Sequence, residues 1–79
     1  ARERLIFLRN LIASSELDGA EYYLKRGAYV AALNRANYVL KNIPNSTENY
    51  RALEIMKDAY EKLGYPEYAE KIIELQEVN

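Results

Sequence analysis

The 79-residue sequence contains no cysteine and no histidine. Those two absences remove disulfides, thiolate nucleophiles, imidazole general bases and zinc sites of the usual type. What remains for chemistry is carboxylates, lysines and tyrosines, and no spacing groups them into a recognisable site. Neither catalysis nor a cofactor or metal is expected. No apolar run approaches the roughly 18 residues that a membrane-spanning helix needs. Glycine and proline are scarce, three and two, so each one that occurs at a break in the hydrophobic pattern carries weight as a helix boundary.

Apolar residues make up 49% of the chain, too many for disorder and ordinary for a globular domain. The length suits one small domain with a modest core. The net charge of −1 is unevenly spread. Residues 1–41 hold seven Lys/Arg against four Asp/Glu, and residues 42–79 hold four against eight. Such polarity suits two faces with different partners, or stacking between them, and it also suits plain solvated helix surfaces. The basic residues are too scattered to mark a nucleic-acid surface. Ala1-Arg2-Glu3-Arg4 mixes both signs and leads into a helical pattern, so it reads as a helix start rather than a signal peptide. With no initiator Met, the expectation is a fragment of a longer protein or a processed form.

Hydrophobic spacing predicts an all-α chain of four helices, about 2–26, 28–42, 47–63 and 66–77. In the first, Leu5, Leu8 and Ile12 form one apolar stripe, with Ile6 and Phe7 beside it. Leu17, Ala20, Tyr23 and Leu24 form a second, and Ser14-Ser15 between them is a candidate bend. Lys25 and Arg26 suit the negative end of the helix dipole, and Gly27 suits the left-handed cap. The second helix is expected to bury Tyr29, Ala32, Leu33, Ala36, Leu40 and Ile43, and to present Ala31, Asn34, Arg35, Tyr38, Lys41 and Asn42 outward. Ile43-Pro44 ends it, because a residue before proline avoids the helical region. Asn45, Ser46 or Thr47 caps the third helix, and Asn45 with Glu48 has the spacing of a capping box. Asn45-Ser46-Thr47 is also a glycosylation triplet by pattern, and capping is preferred. The third helix buries Leu53, Met56, Ala59, Tyr60 and Leu63, and Gly64 closes it. The fourth, opened by Pro66, buries Ala69, Ile72, Ile73 and Tyr65 or Tyr68.

Two halves of the chain match at one offset of 37 residues: Ala20 with Lys57, Tyr23 with Tyr60, Gly27 with Gly64, Ala32 with Ala69. The unit is helix, glycine turn, helix with a central alanine. It resembles the tetratricopeptide repeat, whose period is about 34 residues, with Pro44 at the place of the closing proline. The expected organisation is a single helical-repeat domain over 1–79, a fragment of a right-handed superhelix. It would hold two degenerate repeats, about 13–44 and 47–79, behind an N-terminal helical extension. Two repeats are fewer than such arrays usually need, so the first helix would act as a packing extension or continue an upstream repeat.

A narrower resemblance rests on Ala20-Glu21-Tyr22-Tyr23, on Arg26-Gly27-Ala28-Tyr29-Val30-Ala31 and on Asn34-Arg35. Leu8-Arg9-Asn10, the Tyr38 to Pro44 stretch and Asp58-Ala59-Tyr60 add to it. Together they are similar to the C-terminal part of the BamD (YfiO-type) outer-membrane assembly lipoproteins. The resemblance implies a non-catalytic scaffold at the periplasmic face of the bacterial outer membrane, anchored through a lipidated cysteine that lies outside this chain. It implies docking onto the periplasmic domain of the barrel subunit of the β-barrel assembly machine, with accessory lipoproteins as further partners. The arginine it places at that contact matches Arg35. Asn34, Tyr38 and Lys41 stand beside it, and arginine and tyrosine are favoured at interface hot spots. Among the tyrosines, Tyr23 and Tyr60 are expected in the core, whereas Tyr22, Tyr38, Tyr50 and one of Tyr65 and Tyr68 are candidates for exposure. The alternatives are a general adaptor that binds extended peptides in its concave groove, and a helical accessory domain of an enzyme.

Overall fold

In the computed structural model, which describes residues 2–44 and 46–78 (side chains through Gln76), the chain forms four helices. They are α1 (Arg2–Lys25), α2 (Tyr29–Asn42), α3 (Asn49–Leu63) and α4 (Pro66–Val78). α1 runs unbroken through Ser14-Ser15, and the interruption in its apolar pattern marks a change of surroundings, from the exposed Leu5, Leu8 and Ile12 to the buried Leu17 and Ala20.

The turns are built locally. Gly27 and Gly64 have φ of 81° and 86°, the left-handed conformation in which a Cβ is penalised. Around both, the same pair of hydrogen bonds closes the preceding helix. Ala28 N–H donates to Tyr23 O at 2.9 Å and Gly27 N–H to Leu24 O at 3.2 Å; Tyr65 N–H donates to Tyr60 O at 2.9 Å and Gly64 N–H to Glu61 O at 3.2 Å. These are the two bonds of a Schellman cap, repeated 37 positions apart. Ile43, before Pro44, leaves the helical region with φ −131° and ψ 62°.

α3 starts two residues later than its pattern predicts, because Thr47 and Glu48 belong to the turn. The Ser46 hydroxyl accepts the Glu48 N–H at 3.0 Å. It also donates to Asn10 Oδ1, which takes the Thr47 N–H as well, at 3.0 and 3.1 Å. The α2–α3 turn is thus fastened to α1 across the fold. The capping box anticipated at Asn45 and Glu48 lies outside the described residues on its Asn45 side.

α1 packs on α2, α2 on α3 and α3 on α4, with a smaller α1–α3 contact. Stacking of near neighbours gives a flat body of 44 × 29 × 14 Å, in the manner of helical-hairpin repeats. The core joins Ala13, Leu17 and Ala20 of α1, Ala32, Ala36 and Val39 of α2, Ala52, Leu53, Ile55 and Met56 of α3, and Ile72 of α4. Small residues at 13, 20, 32, 36 and 52 are fully covered, which lets the helix backbones approach closely.

Three expectations about burial change. Leu5, Leu8 and Ile12 are exposed, as are Ile6 and Phe7, because the rest of the chain covers little of the first three turns of α1, meeting them at Asn10 through the turn after α2. Tyr65 and Tyr68 are both exposed, and so is Ile73. α4 is the last layer and offers only one face to α3, and Tyr68 instead stacks edgewise on Tyr65 and lies against Tyr60. Val39, Ala52 and Ile55, missing from the expected core, are buried.

Candidate docking surface

A shallow groove of about 410 Å³ lies between α1 and α2, lined by Glu16 and Tyr23 of α1 and by Ala31, Asn34, Arg35 and Tyr38 of α2. The α2 residues share one face by the spacing 31, 34, 35, 38, and Glu16 and Tyr23 are two turns apart on α1. Three of the residues that the sequence singled out, Asn34, Arg35 and Tyr38, therefore meet in one place. Lys41 is exposed one turn further on and does not line the groove.

Arg35 is not the outward, freely solvated cation that the helix pattern alone suggests. Its Nη1 donates to Glu16 Oε2 at 3.1 Å. Its guanidinium carbon stands 5.2 Å from the centre of the Tyr23 ring, a cation–π distance. Its stem crosses α1 at Gly19, where an added Cβ would stand 3.4 Å from Arg35 Cδ. The interaction with Tyr23, ahead of the charge on Glu16, raises the guanidinium's pKa above its already high ordinary value. The side chain stays 42% exposed, so the pair is wet and open to a further ligand.

Arg51, on α3, makes the opposite kind of site. It donates to Asp18 at 2.6 Å and to Glu21 at 2.9 Å on α1, and lies 3.5 Å from Glu48, the residue just before α3. These partners raise its pKa. In turn the Arg51 hydrogen bond outweighs partial burial and holds Glu21 below the usual carboxylate range. Three acids around one arginine leave it little capacity for an outside partner.

Glu16, Gly19 and the second role of Tyr23 were missed by sequence reasoning. The signal was there in their spacing, 16, 19 and 23 on one α1 stripe, but nothing local says that α2 lays an arginine along it. Among the described residues there is no cluster of acids, histidines or cysteines able to hold a metal ion, and no helix is long and apolar enough to cross a membrane.

Compared with known proteins, residues 1–75 match the profile of YfiO, described as an outer membrane lipoprotein. The chain belongs to the YfiO family. Within that family it is similar to outer membrane protein assembly factor BamD of Vibrio cholerae, 34% identical over the whole chain and 33% of that protein. It is 37% identical to BamD of Neisseria meningitidis serogroup A, over the whole chain and 30% of that protein. With BamD of Haemophilus influenzae it shares 39% identity over 64 residues, 81% of this chain and 24% of the relative. The chain thus spans about a third or less of the length of the curated relatives it matches. YfiO membership locates it at the periplasmic face of the outer membrane.

Proposed function

We propose that this chain is a non-catalytic docking segment of the outer-membrane β-barrel assembly machinery. It binds the periplasmic domain of the barrel subunit through the α1–α2 groove, with Arg35 pairing to a carboxylate of that partner. Asn34 and Tyr38 flank the contact, and Lys41 adds positive charge at its edge. The observation that carries the reading is Arg35 itself: a half-exposed guanidinium with one carboxylate partner, set in a groove between two exposed polar groups, in a chain whose relatives are named assembly factors. Desolvating such a pair gives both orientation and affinity. Two degenerate repeats, about 13–44 and 47–79, form the scaffold, and the matching Gly27 and Gly64 caps support that division. The exposed Tyr65 and Tyr68, in and just after the turn between the acidic last helices, offer a place for an accessory lipoprotein.

A second reading, an adaptor for extended peptides, draws support from a separate recess of about 320 Å³ lined by Ile6, Arg9, Asn10, Asn42, Ile43 and Pro44. Apolar walls with a few amides suit a short peptide segment. The experiment that separates the two is a pull-down of the full-length protein with the purified periplasmic domains of the barrel subunit, with Arg35→Glu alongside. Loss of binding in the variant supports docking through the groove. Equal binding by both proteins moves the contact elsewhere, and the recess then becomes the surface to mutate.

A further inference from the structure

We propose that Glu16 is a built-in competitor for the Arg35 guanidinium and limits how tightly the groove takes a carboxylate from a partner. The inference rests on the docking reading above and adds to it a residue that restrains the interaction.

The two arginine sites differ in how fully their donors are used. A guanidinium has five N–H donors. Among the described residues, Arg51 meets three carboxylates, whereas Arg35 meets one, through a single contact from Nη1 at 3.1 Å. Arg35 therefore has donors to spare for a second carboxylate. The carboxylate already present has a cost, because an incoming negative charge must approach Glu16, which lines the groove.

Glu16 is not needed to hold Arg35 in place. Tyr23 underlies the guanidinium, and the side chain runs over the gap left by Gly19. Both contacts are uncharged. Removing the charge on Glu16 while keeping an acceptor oxygen leaves the posture of Arg35 intact and removes the repulsion. Glutamine does this at equal size.

The test compares wild type, Glu16→Gln and Arg35→Glu in the full-length protein. Titration calorimetry measures binding to the purified periplasmic domains of the barrel subunit at low and at high salt. Thermal melting of each variant separates binding from folding. The expected result is that Glu16→Gln binds roughly two- to fivefold tighter than wild type at low salt, the size of one exposed charge–charge term. The gain shrinks at high salt, while Arg35→Glu loses binding. If Glu16→Gln binds equally or more weakly while Arg35→Glu loses binding, the competitor role is overturned and the docking role stands. If Arg35→Glu binds as wild type does, both are overturned. Should Glu16→Gln melt at a lower temperature, Glu16→Ala, which removes the acceptor too, decides: tightening there sustains competition, and weakening overturns it.

Discussion

The seam between α1 and α3 and the groove between α1 and α2 are each organised by one arginine, and they use it differently. At the seam Arg51 ties Asp18 and Glu21 to Glu48 and is 29% exposed. At the groove Arg35 is 42% exposed, with one acid and one aromatic ring for company. Saturating a guanidinium from within makes a structural clamp; leaving it part-filled makes a surface that can still bind. The type of residue is the same, so the difference comes from how many acids the neighbouring helix brings within reach.

The sharpest way to test that contrast is to reverse the groove arginine. Arg35→Glu is expected to weaken docking to the barrel subunit's periplasmic domain on the order of 30-fold or more, as loss of a desolvated charge pair does. The melting temperature should stay close to wild type. Equal affinity would remove Arg35 from the interface.

Arg51→Ala should do the reverse. Its loss leaves three acids facing one another, and a stability decrease of about 1–2 kcal/mol is expected in urea denaturation, with docking affinity retained in the folded protein. A variant that stays fully stable but docks poorly would collapse the distinction between clamp and groove.

Gly19→Ala sharpens the picture at the groove. A glycine inside a helix costs about 0.5–1 kcal/mol relative to alanine. The new Cβ would stand 3.4 Å or more from Arg35, an ordinary contact. The expected outcome is a stability gain of that size with docking unchanged. A loss of stability would mean that Arg35 needs the space.

The smallest effect concerns acid. Arg51 holds Glu21 below its ordinary value of 4.5, so the folded state binds that proton less readily than the unfolded chain does. The pair's contribution is present in full above the unfolded value and is lost as pH falls through the lower folded one. Stability should therefore fall on acidification below about pH 4.5, and the fall should be shallower in Arg51→Ala. Identical acid profiles would show that the pair contributes nothing.

How much of this was legible beforehand follows from distance along the chain. The four helices, the glycine caps and the Ile43-Pro44 stop are set by residues within a few positions of one another, and each appears where the pattern puts it except for the start of α3, which the Ser46–Asn10 tie moves two residues on. The meeting of Asn34, Arg35 and Tyr38 was legible too, because helical periodicity alone brings them to one face. Burial was less so. α1 carries two apolar stripes of similar quality, yet Leu17 is fully buried and Leu5 is 60% exposed. The second half of the helix packs into the core with α2 and α3, whereas the first half meets the rest of the chain mainly at Asn10 and the α2–α3 turn. Lys41 shows the same limit from the other side, since periodicity puts it on the docking face but the groove ends a turn before it.

The sequence by itself determined the family, the hairpin architecture and the turns, because periodicity, left-handed glycines and a pre-proline residue act over one or two helical turns. Tertiary structure alone decided that Arg35 meets Glu16 across 19 residues of chain. It also decided that Arg51 reaches Glu21 and Asp18 across 30 and 33. Which acid an arginine finds, and how many donors it keeps, depends on how two helices come to lie together, and no local pattern of residues encodes that.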